Sequence, residues 1–281
     1  MFKENHPISS YTSFGVGGIA RYFCEIESSE QAVICFEFIK QNQLKWIVLG
    51  KGSNVVLSSK YFDGLVIVNK INFCHYLGST IEVGAGYNFA LLGVKSSSKN
   101  LGGLEFAAGI PASVGGAIYM NAGANGQETQ DCLSEVEFVT EDGSVLLLKK
   151  DELNFSYRTS PFQNMKGIIT KAKFQLYLDN EAKEKQKEIL LYRLSTQPYK
   201  AKTAGCMFQN PKSRSAGAII EACGLKGFKI GSAQVSLMHA NFIENINDAN
   251  SEDIISLVHH IKKVVYEKEK IELKLEVKFI G

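Results

Sequence analysis

The sequence lacks the features that place a chain in a membrane or outside the cell. No apolar run approaches the ~20 residues that a membrane-spanning helix needs, and the opening "MFKENHPISS" has no apolar stretch typical of a secretion signal. The six cysteines are scattered, and no C-x-x-C pair occurs. We therefore expect free thiols and a cytoplasmic protein with no membrane span.

The sequence also lacks a strong charge of one sign and a histidine cluster. A net charge of +2 offers no concentrated basic excess, so we expect no nucleic-acid partner. Of the five histidines, His259 and His260 are adjacent on a predicted helix. They point to different sides and cannot share one ion. We predict no metal site.

What remains is the composition of a globular protein, with 45% hydrophobic and 21% charged residues. A chain of 281 residues exceeds the usual size of one hydrophobic core, which favours more than one domain. Hydrophobic periodicity and capping residues predict both helices and strands. Helices are predicted at 28–42, 88–100, 180–194, 215–223 and 250–270, and strands at 20–26, 45–50, 55–58, 64–70, 80–86, 134–140, 144–149, 168–178, 228–236, 240–246 and 271–279.

The order of these elements indicates the fold class. Helices and strands are interspersed irregularly, which is typical of an α+β protein and not of a regular βαβ ladder. The segment 101–126 is rich in glycine and alanine, and we predict no regular element there. A domain boundary is expected near residue 190.

Two glycine-rich segments are candidates for ligand binding. "GKGSN", residues 50–54, follows a strand but is neither a dinucleotide fingerprint nor a Walker loop. It is consistent with a nest of backbone N–H groups for a pyrophosphate, although taken alone the pattern favours an ordinary glycine turn. "AAGIPASVGGAIYMNAGANG", residues 107–126, is long and irregular, and its glycines let the backbone approach a ligand closely. It favours a wrapped cofactor.

Three polar side chains are candidates for catalysis, and each has an ordinary alternative. Cys206, after a glycine in "TAGCMFQNP", is either a reactive thiol or an inert buried cysteine. Arg158 in "FSYRTSPF" is either a ligand contact or a surface arginine, and Glu276 lies on the polar face of the predicted last strand. Individually, none of the three decides the function.

Seven motifs taken together identify a resemblance. They occur in this order: "YTSFGVGGIARYF", "VLGKGSNVVLS", "GLEFAAGIPASVGGAIYMNAGANG", "FSYRTSPFQ", "STQPYKAKTAGCMFQNP", "GSAQVSLMHANFIEN" and "LEVKFIG". The series resembles the UDP-N-acetylenolpyruvoylglucosamine reductases, flavoenzymes of bacterial peptidoglycan synthesis, over nearly the whole chain. The short segment between Arg158 and Cys206 resembles the branch of that family without an inserted tyrosine-bearing loop.

The resemblance implies an FAD-binding fold of the vanillyl-alcohol-oxidase (PCMH) type in two subdomains, followed by a C-terminal α+β substrate domain. The implied limits are 1–190 for the FAD domain, with subdomains of about 1–68 and 69–190, and 191–281 for the substrate domain. The implied FAD contacts are Gly50, Lys51, Gly52, Ser53, Asn54, Gly109, Ile110, Pro111, Ser113, Gly115, Gly116, Ala117, Asn121, Gly123 and Arg193.

The resemblance also implies a reaction. NADPH reduces the flavin, whose N5 then delivers hydride to the vinyl carbon of the enolpyruvyl substrate, giving UDP-N-acetylmuramate. Arg158 and Glu276 bear on the substrate carboxylate, and Cys206 protonates the enolate carbon. The family more often has serine at this position. A thiol, with a reference pKa of about 8.5, is the stronger acid and adds sensitivity to oxidants and alkylating agents. The implied substrate contacts are Tyr157, Asn210, His239 and Asn241.

Two other functions stay open: an oxidase of the same flavin superfamily that acts on another alcohol, and a protein that binds a UDP-sugar or flavin without turnover. The joint presence of Arg158, Cys206 and Glu276 argues against the second. We expect small-molecule partners, NADPH and the UDP-sugar, and a monomer.

Overall fold

The structure is a computed structural model that describes residues 1–58 and 60–281. The helices are α1 (Ser29–Asn42), α2 (Phe89–Ser97), α3 (Val114–Tyr119), α4 (Ala182–Thr196), α5 (Ala216–Ala222) and α6 (Ser251–Glu269). The strands are β1 (Lys3–Pro7), β2 (Ile19–Ile26), β3 (Lys45–Leu49), β4 (Val55–Leu57), β5 (Tyr61–Asn69), β6 (Cys74–Leu77), β7 (Thr80–Gly84), β8 (Leu101–Gly102), β9 (Gly123–Ala124), β10 (Gln127–Glu128), β11 (Leu133–Thr140), β12 (Val145–Lys149), β13 (Gly167–Gln175), β14 (Tyr177–Leu178), β15 (Lys229–Ile230), β16 (Ala233–Val235), β17 (Ile243–Asn245) and β18 (Lys278–Ile280).

The described chain divides into two compact units. The first unit comprises Met1–Glu4, Tyr22–Lys51 and Asp63–Arg193, and the second comprises Asn5–Arg21, Gly52–Phe62 and Leu194–Gly281. The second unit therefore takes two segments from the N-terminal part of the chain. Among the described residues, no helix has the length and apolar character needed to cross a membrane.

A four-stranded sheet in the order β1-β2-β5-β3 pairs β3 and β5 in parallel. Helix α1 begins at Ser28, whose hydroxyl accepts the N–H of Gln31. Its buried face packs Phe36 and Cys35 into the core beside the sheet. The Sγ atoms of Cys35 and Cys24 lie 3.4 Å apart. This hydrogen bond and burial raise the pKa of the Cys35 thiol well above its usual range.

The other main sheet of the first unit is antiparallel, in the order β12-β11-β13-β7-β6. The strands predicted at 134–140 and 144–149 are confirmed, and they form a hairpin around Asp142–Gly143, since β11 and β12 pair in antiparallel register. Helices α2 and α3 contribute Leu92 and Ile118 to the core that covers this sheet. The sheet thus provides the rigid support for the glycine-rich segment that contains α3.

One carboxylate in this sheet is almost buried. The side chain of Glu137 is 10% exposed and lies 2.9 Å from Nζ of Lys171. The hydroxyls of Ser29 and Thr170 donate to the same carboxylate at 2.6 and 2.8 Å. Burial alone would raise the pKa of Glu137, but the bonds from Lys171, Ser29 and Thr170 outweigh it and lower that pKa. The charged form is therefore the stable one in the folded chain.

We expect Glu137→Gln to lower the free energy of unfolding by about 2 kcal/mol at pH 7, because the Lys171 ammonium loses the nearer of its two carboxylate partners and keeps only Glu82, at 3.9 Å. A lowered folded-state pKa contributes stability above the unfolded pKa and loses it as the pH falls through the folded value. The difference in free energy of unfolding between wild type and variant should therefore become smaller below pH ~4.5. Urea unfolding at pH 7 and at pH 3 measures this difference.

The matched control is Glu135→Gln. Glu135 pairs with Lys173 across the same two strands at 2.8 Å, but its side chain is 23% exposed and that of Lys173 is 40% exposed. Such solvated pairs contribute about 1 kcal/mol or less. Two results would contradict a stabilising role for the charged Glu137 carboxylate. One is an equal loss of unfolding free energy in both variants, and the other is a loss in Glu137→Gln that does not change with pH.

The second unit has a small sheet in the order β15-β16-β17, covered by α5 and α6. Helix α6 starts with a reciprocal capping box between Asn250 and Asp253. The helix predicted at 250–270 is confirmed, and its buried stripe consists of Ile254, Val258, Ile261 and Val265, which are at most 2% exposed. Helix α5 ends before Gly224, whose φ of 76° is in the left-handed region.

Two local predictions were wrong. The predicted last strand is regular only at β18, which pairs in parallel with β4, while Leu275 makes an isolated bridge with Phe208. Its partner segment is too short for a continuous ladder, so the sequence alternation overstates the strand. The predicted irregular segment contains α3, because Ser113 caps a short helix through the N–H of Gly116 at 3.2 Å.

Candidate functional site

The loop after β3 contains a glycine that no other residue can replace without strain. Gly52 has a φ of 59°, and a Cβ at this position would collide with the carbonyl oxygen of Tyr11. Its own carbonyl accepts the N–H of Ser13 at 3.1 Å. Among the described residues, none accepts a hydrogen bond from the N–H of Gly52, Ser53 or Asn54. Three successive N–H groups at a left-handed turn fit the diphosphate of a dinucleotide cofactor.

The neighbouring residues of this loop have different roles. Gly50, in the first unit, allows close approach to Ser113, because a Cβ at Gly50 would overlap the Ser113 hydroxyl. The side chain of Lys51 is exposed. The structure therefore brings Gly50 and Ser113 together, and their contacts with FAD stay predictions.

In the second glycine-rich segment, most N–H groups are used within the protein. The N–H of Val114 donates to Tyr87 and that of Gly115 to Ala85, at 2.9 and 2.8 Å. A Cβ on Gly115 would lie 3.0 Å from the Cβ of Ala85, so this glycine allows two protein segments to pack. The contacts predicted with FAD for Gly109, Ile110, Pro111, Ser113, Gly115, Gly116 and Ala117 stay predictions.

Arg158 occupies a tight turn in a strained backbone conformation. Ser156 and Thr159 exchange backbone hydrogen bonds at 3.1 and 2.9 Å, and Arg158 between them has a φ of 57°. Left-handed φ is uncommon for a side chain of this size, and such strain clusters at functional sites. One guanidinium N–H donates to the carbonyl of Gly123 at 3.0 Å, and the group stacks 4.9 Å from the ring centre of Tyr157.

In the second unit the chain places Cys206 beside Glu276. The carbonyl of Met207 accepts the N–H of Glu276 at 2.9 Å, and Cys206 forms an isolated bridge with Phe242. The preceding Gly205 has a φ of 79°, which explains why a glycine stands before the thiol. Cys206 is half-buried. The predicted acid and carboxyl are therefore on adjacent backbone segments.

The loop of Ser53 and Asn54 adjoins the same two residues. The side-chain amide of Asn54 donates to the carbonyl of Glu276 at 3.2 Å. A Cβ built on Gly205 would lie 3.9 Å from the carbonyl oxygen of Ser53. The second unit therefore gathers the candidate diphosphate loop, Cys206 and Glu276 in one place.

Three predicted substrate contacts make protein contacts here. Asn241, 2% exposed, donates to the carbonyl of Phe208 at 2.8 Å and accepts its N–H at 3.0 Å. Nδ1 of His239 accepts the N–H of Asn241 at 3.2 Å, and burial lowers the pKa of His239, so the ring is neutral at pH 7. Asn210 accepts the N–H of Ala216 at the start of α5. Asn241 thus supports the backbone next to Cys206.

The remaining predicted residues lie in the first unit. Arg193 is half-buried in the last turn of α4, and Tyr157 is exposed. Two residues of the site were not predicted from the sequence. They are Gln163, whose side chain donates a hydrogen bond to the carbonyl of Arg158, and Ser13, whose N–H donates to the carbonyl of Gly52. Both stand inside the motifs "FSYRTSPFQ" and "YTSFGVGGIARYF". Among residues 1–58 and 60–281, no group of three or more His, Cys, Asp or Glu side chains could hold a metal ion.

Comparison with known proteins matches both parts of the chain to family models. Residues 20–149 match the FAD binding domain, and residues 197–280 match the C-terminal domain of UDP-N-acetylenolpyruvoylglucosamine reductase. A relative named UDP-N-acetylenolpyruvoylglucosamine reductase from Protochlamydia amoebophila is 48% identical over 99% of this chain and 94% of its own. The Bacillus subtilis relative of the same name is 38% identical over 99% of this chain and 93% of its own.

A solved structure agrees with these relatives. UDP-N-acetylenolpyruvylglucosamine reductase from Thermus caldophilus superposes with a TM-score of 0.83 at 35% identity, covering 100% of this chain and 98% of the other. The FAD-binding domain and the α+β architecture together define an FAD-dependent oxidoreductase with the vanillyl-alcohol-oxidase type of flavin fold. The chain belongs to the UDP-N-acetylenolpyruvoylglucosamine reductase family, flavoproteins of cell-wall synthesis. The predicted family and fold class are confirmed.

Proposed function

We propose that this protein reduces the enolpyruvyl ether of UDP-N-acetylglucosamine to UDP-N-acetylmuramate, a peptidoglycan precursor, with electrons from NADPH. Membership of the reductase family supports the substrate class. The observation that carries the chemistry is the backbone pairing of Met207 with Glu276, which places the backbone of Cys206, the preceding residue, near that of Glu276. Protonation of the carbon next to a carboxylate requires an acid within reach of that carbon, and Cys206 is the acid in this proposal.

The N–H groups of Gly52, Ser53 and Asn54 would hold the FAD diphosphate, since they have no acceptor among the described residues. When bound, FAD supplies the redox chemistry, taking electrons from NADPH and passing hydride to the terminal vinyl carbon. The side chains of the protein have the tasks of orienting the substrate, balancing its charge and supplying one proton.

Arg158 binds the substrate carboxylate in this proposal. A guanidinium group can engage a carboxylate through two parallel N–H bonds and balance charge as it grows. The bond to the Gly123 carbonyl fixes one end of the group before substrate arrives. The cost of orienting this side chain is therefore met in the folded protein and not during the reaction.

Cys206 donates the proton in this proposal. Addition of hydride to the vinyl CH2 makes a methyl group and leaves an electron pair on the carbon beside the carboxylate. The Cys206 S–H bond breaks, its proton forms the new C–H bond, and the thiolate regains a proton from water. Glu276, in its protonated form, donates a hydrogen bond to the carboxylate, because an adjacent anion favours that form.

An anaerobic experiment tests the proposal and separates the alternatives. Purified protein should be yellow or take up FAD, NADPH should bleach it, and the enolpyruvyl sugar nucleotide should restore the colour without oxygen. Colour that returns with oxygen but not with this substrate would indicate an oxidase. A protein that binds no FAD would exclude both flavin reactions. Cytoplasmic location and the monomeric state stay predictions.

A further inference from the structure

Arg158 is held in its unfavourable conformation by side chains outside its own turn. The turn is exposed at Tyr157 and Thr159, and its two internal bonds join only Ser156 and Thr159. A left-handed residue on an exposed turn relaxes unless neighbouring groups fix the backbone. The groups that fix this turn are two carboxamides, one at each end.

Asn121 fixes the start of the turn. It is 0% exposed, and its amide nitrogen donates to the carbonyl of Ser156 at 3.0 Å and to the carboxylate of Glu128 at 2.7 Å. Its amide oxygen accepts the N–H of Gln130 at 3.1 Å. Both N–H groups and the oxygen of this amide are therefore used, and its two N–H groups connect Glu128 with the Arg158 turn.

Gln163 fixes the other end of the turn. Its amide nitrogen donates to the carbonyl of Arg158 itself and to the carbonyl of Tyr119, both at 3.0 Å. The hydroxyl of Ser160 donates to the same Tyr119 carbonyl at 2.7 Å. The turn is thereby tied to residues 119–123, the segment whose Gly123 carbonyl accepts the Arg158 guanidinium. The backbone and the side chain of Arg158 are therefore both hydrogen-bonded to the segment 119–123 or to side chains that bind it.

We propose that Asn121 and Gln163 are positioning residues that hold Arg158 ready for the substrate carboxylate. The Asn121 side chain is thus given the role of positioning Arg158. The resemblance, in contrast, implied that Asn121 contacts FAD. The inference rests on the proposed function for the identity of the carboxylate. The restraint on the turn, in contrast, is testable without any substrate.

Gln163 provides the sharper test. Besides a 3.8 Å contact with Sδ of Met120, its amide nitrogen has two acceptors, both of them carbonyl oxygens at 3.0 Å. Any donor of similar length can satisfy them, so Gln163→Lys should retain the restraint, whereas Gln163→Met, of similar length without a donor, should lose it. The control is Gln130→Leu. The Gln130 side chain donates to Glu128 at 2.8 Å and, among the described residues, forms no hydrogen bond with the turn of Arg158. Asn121→Asp is a fourth variant, since it sets a second carboxylate against Glu128.

The first readout is local and independent of turnover. Trypsin cleaves after Arg158, and the exposed Lys212 provides an internal reference site. In the flavin-containing protein, Gln163→Met should raise the ratio of cleavage after Arg158 to cleavage after Lys212 about tenfold, because one lost hydrogen bond is worth about a factor of ten. Wild type, Gln163→Lys and Gln130→Leu should agree within about threefold, with cleavage after Arg158 identified by fragment mass because Gln163→Lys adds a trypsin site of its own.

The second readout separates the half-reactions. Gln163→Met should slow reoxidation of the flavin by the enolpyruvyl substrate at least about tenfold and leave bleaching by NADPH within about twofold, because a misplaced Arg158 affects only the second step. The Lys variant should recover that rate. Equal trypsin ratios in Gln163→Met and wild type would overturn the inference, as would equal rates for the Met and Lys variants. If the wild type fails to reduce the substrate, the proposed function fails, and the trypsin ratios still decide the restraint.

Discussion

Cys206→Ala should slow reoxidation of the flavin by the enolpyruvyl substrate by about 10³-fold, within the usual range for loss of a general acid. Bleaching by NADPH should stay within about twofold, because the thiol takes no part in that step. The backbone at this position is set by Gly205, by the bridge to Phe242 and by the Met207–Glu276 bond, none of which involves the sulfur. Alanine therefore removes the proton and keeps the fold. Anaerobic stopped-flow absorbance measures both steps.

Two variants control for other effects of losing a thiol. Cys206→Ser replaces the S–H donor with an O–H donor of the same shape and should recover much of the rate, although a hydroxyl is a weaker acid. Cys223→Ala removes a buried thiol at the end of α5 in the same unit and should leave both half-reactions unchanged. Iodoacetamide should inactivate wild type and spare the serine variant. Normal turnover by Cys206→Ala would reduce the thiol to a packing role.

The helices of this chain are readable because their signals are local. Ser28, Asn88 and Asn250 each cap the helix that follows, through a side chain three residues from the N–H it accepts. The buried stripe of α6 repeats within the same stretch of sequence. Such features depend on neighbours along the chain, so periodicity and capping residues suffice to predict them.

Strand pairing depends on distant residues, and there the sequence misleads. The alternation of 271–279 predicts one long strand, yet its partners are the short segment around Phe208 and the distant strand β4. Leu275 is 38% exposed while Leu273 and Val277 are buried, so the predicted single face does not exist. A strand is only as long as the edge available to it, and no local pattern encodes that length.

The residues of the candidate site also differ in whether the sequence alone could predict their roles. Gly205 before Cys206 and the left-handed Gly52 could be anticipated, because a glycine in a turn motif signals a backbone that other residues avoid. The side-chain amides that support the backbone of the site could not be anticipated. Asn121, Asn241 and Gln163 satisfy backbone carbonyls far from them in sequence or on a neighbouring turn. Their residue type alone does not distinguish a ligand contact from a support.

Arg158→Lys should slow flavin reoxidation by the enolpyruvyl substrate by about 10²-fold and leave bleaching by NADPH nearly unchanged, because an ammonium cannot form two parallel N–H bonds. Lysine and arginine are equally strained at a φ of 57°, so this comparison tests the head group alone. Arg214→Lys is the control, since Arg214 is 44% exposed and pairs with Glu269 at 3.0 Å on the surface. It should change either rate less than about twofold.

Arg158→Gly tests why the strain persists. Glycine adopts left-handed φ without steric cost, so this variant should unfold with the same free energy as wild type or with up to about 1 kcal/mol more, while reoxidation falls at least as far as in the lysine variant. A more stable yet inactive protein would mean that the backbone at residue 158 is held against its preference so that the guanidinium can meet the carboxylate. If Arg158→Gly instead unfolds several kcal/mol more easily, the arginine is structural, and the carboxylate must bind elsewhere.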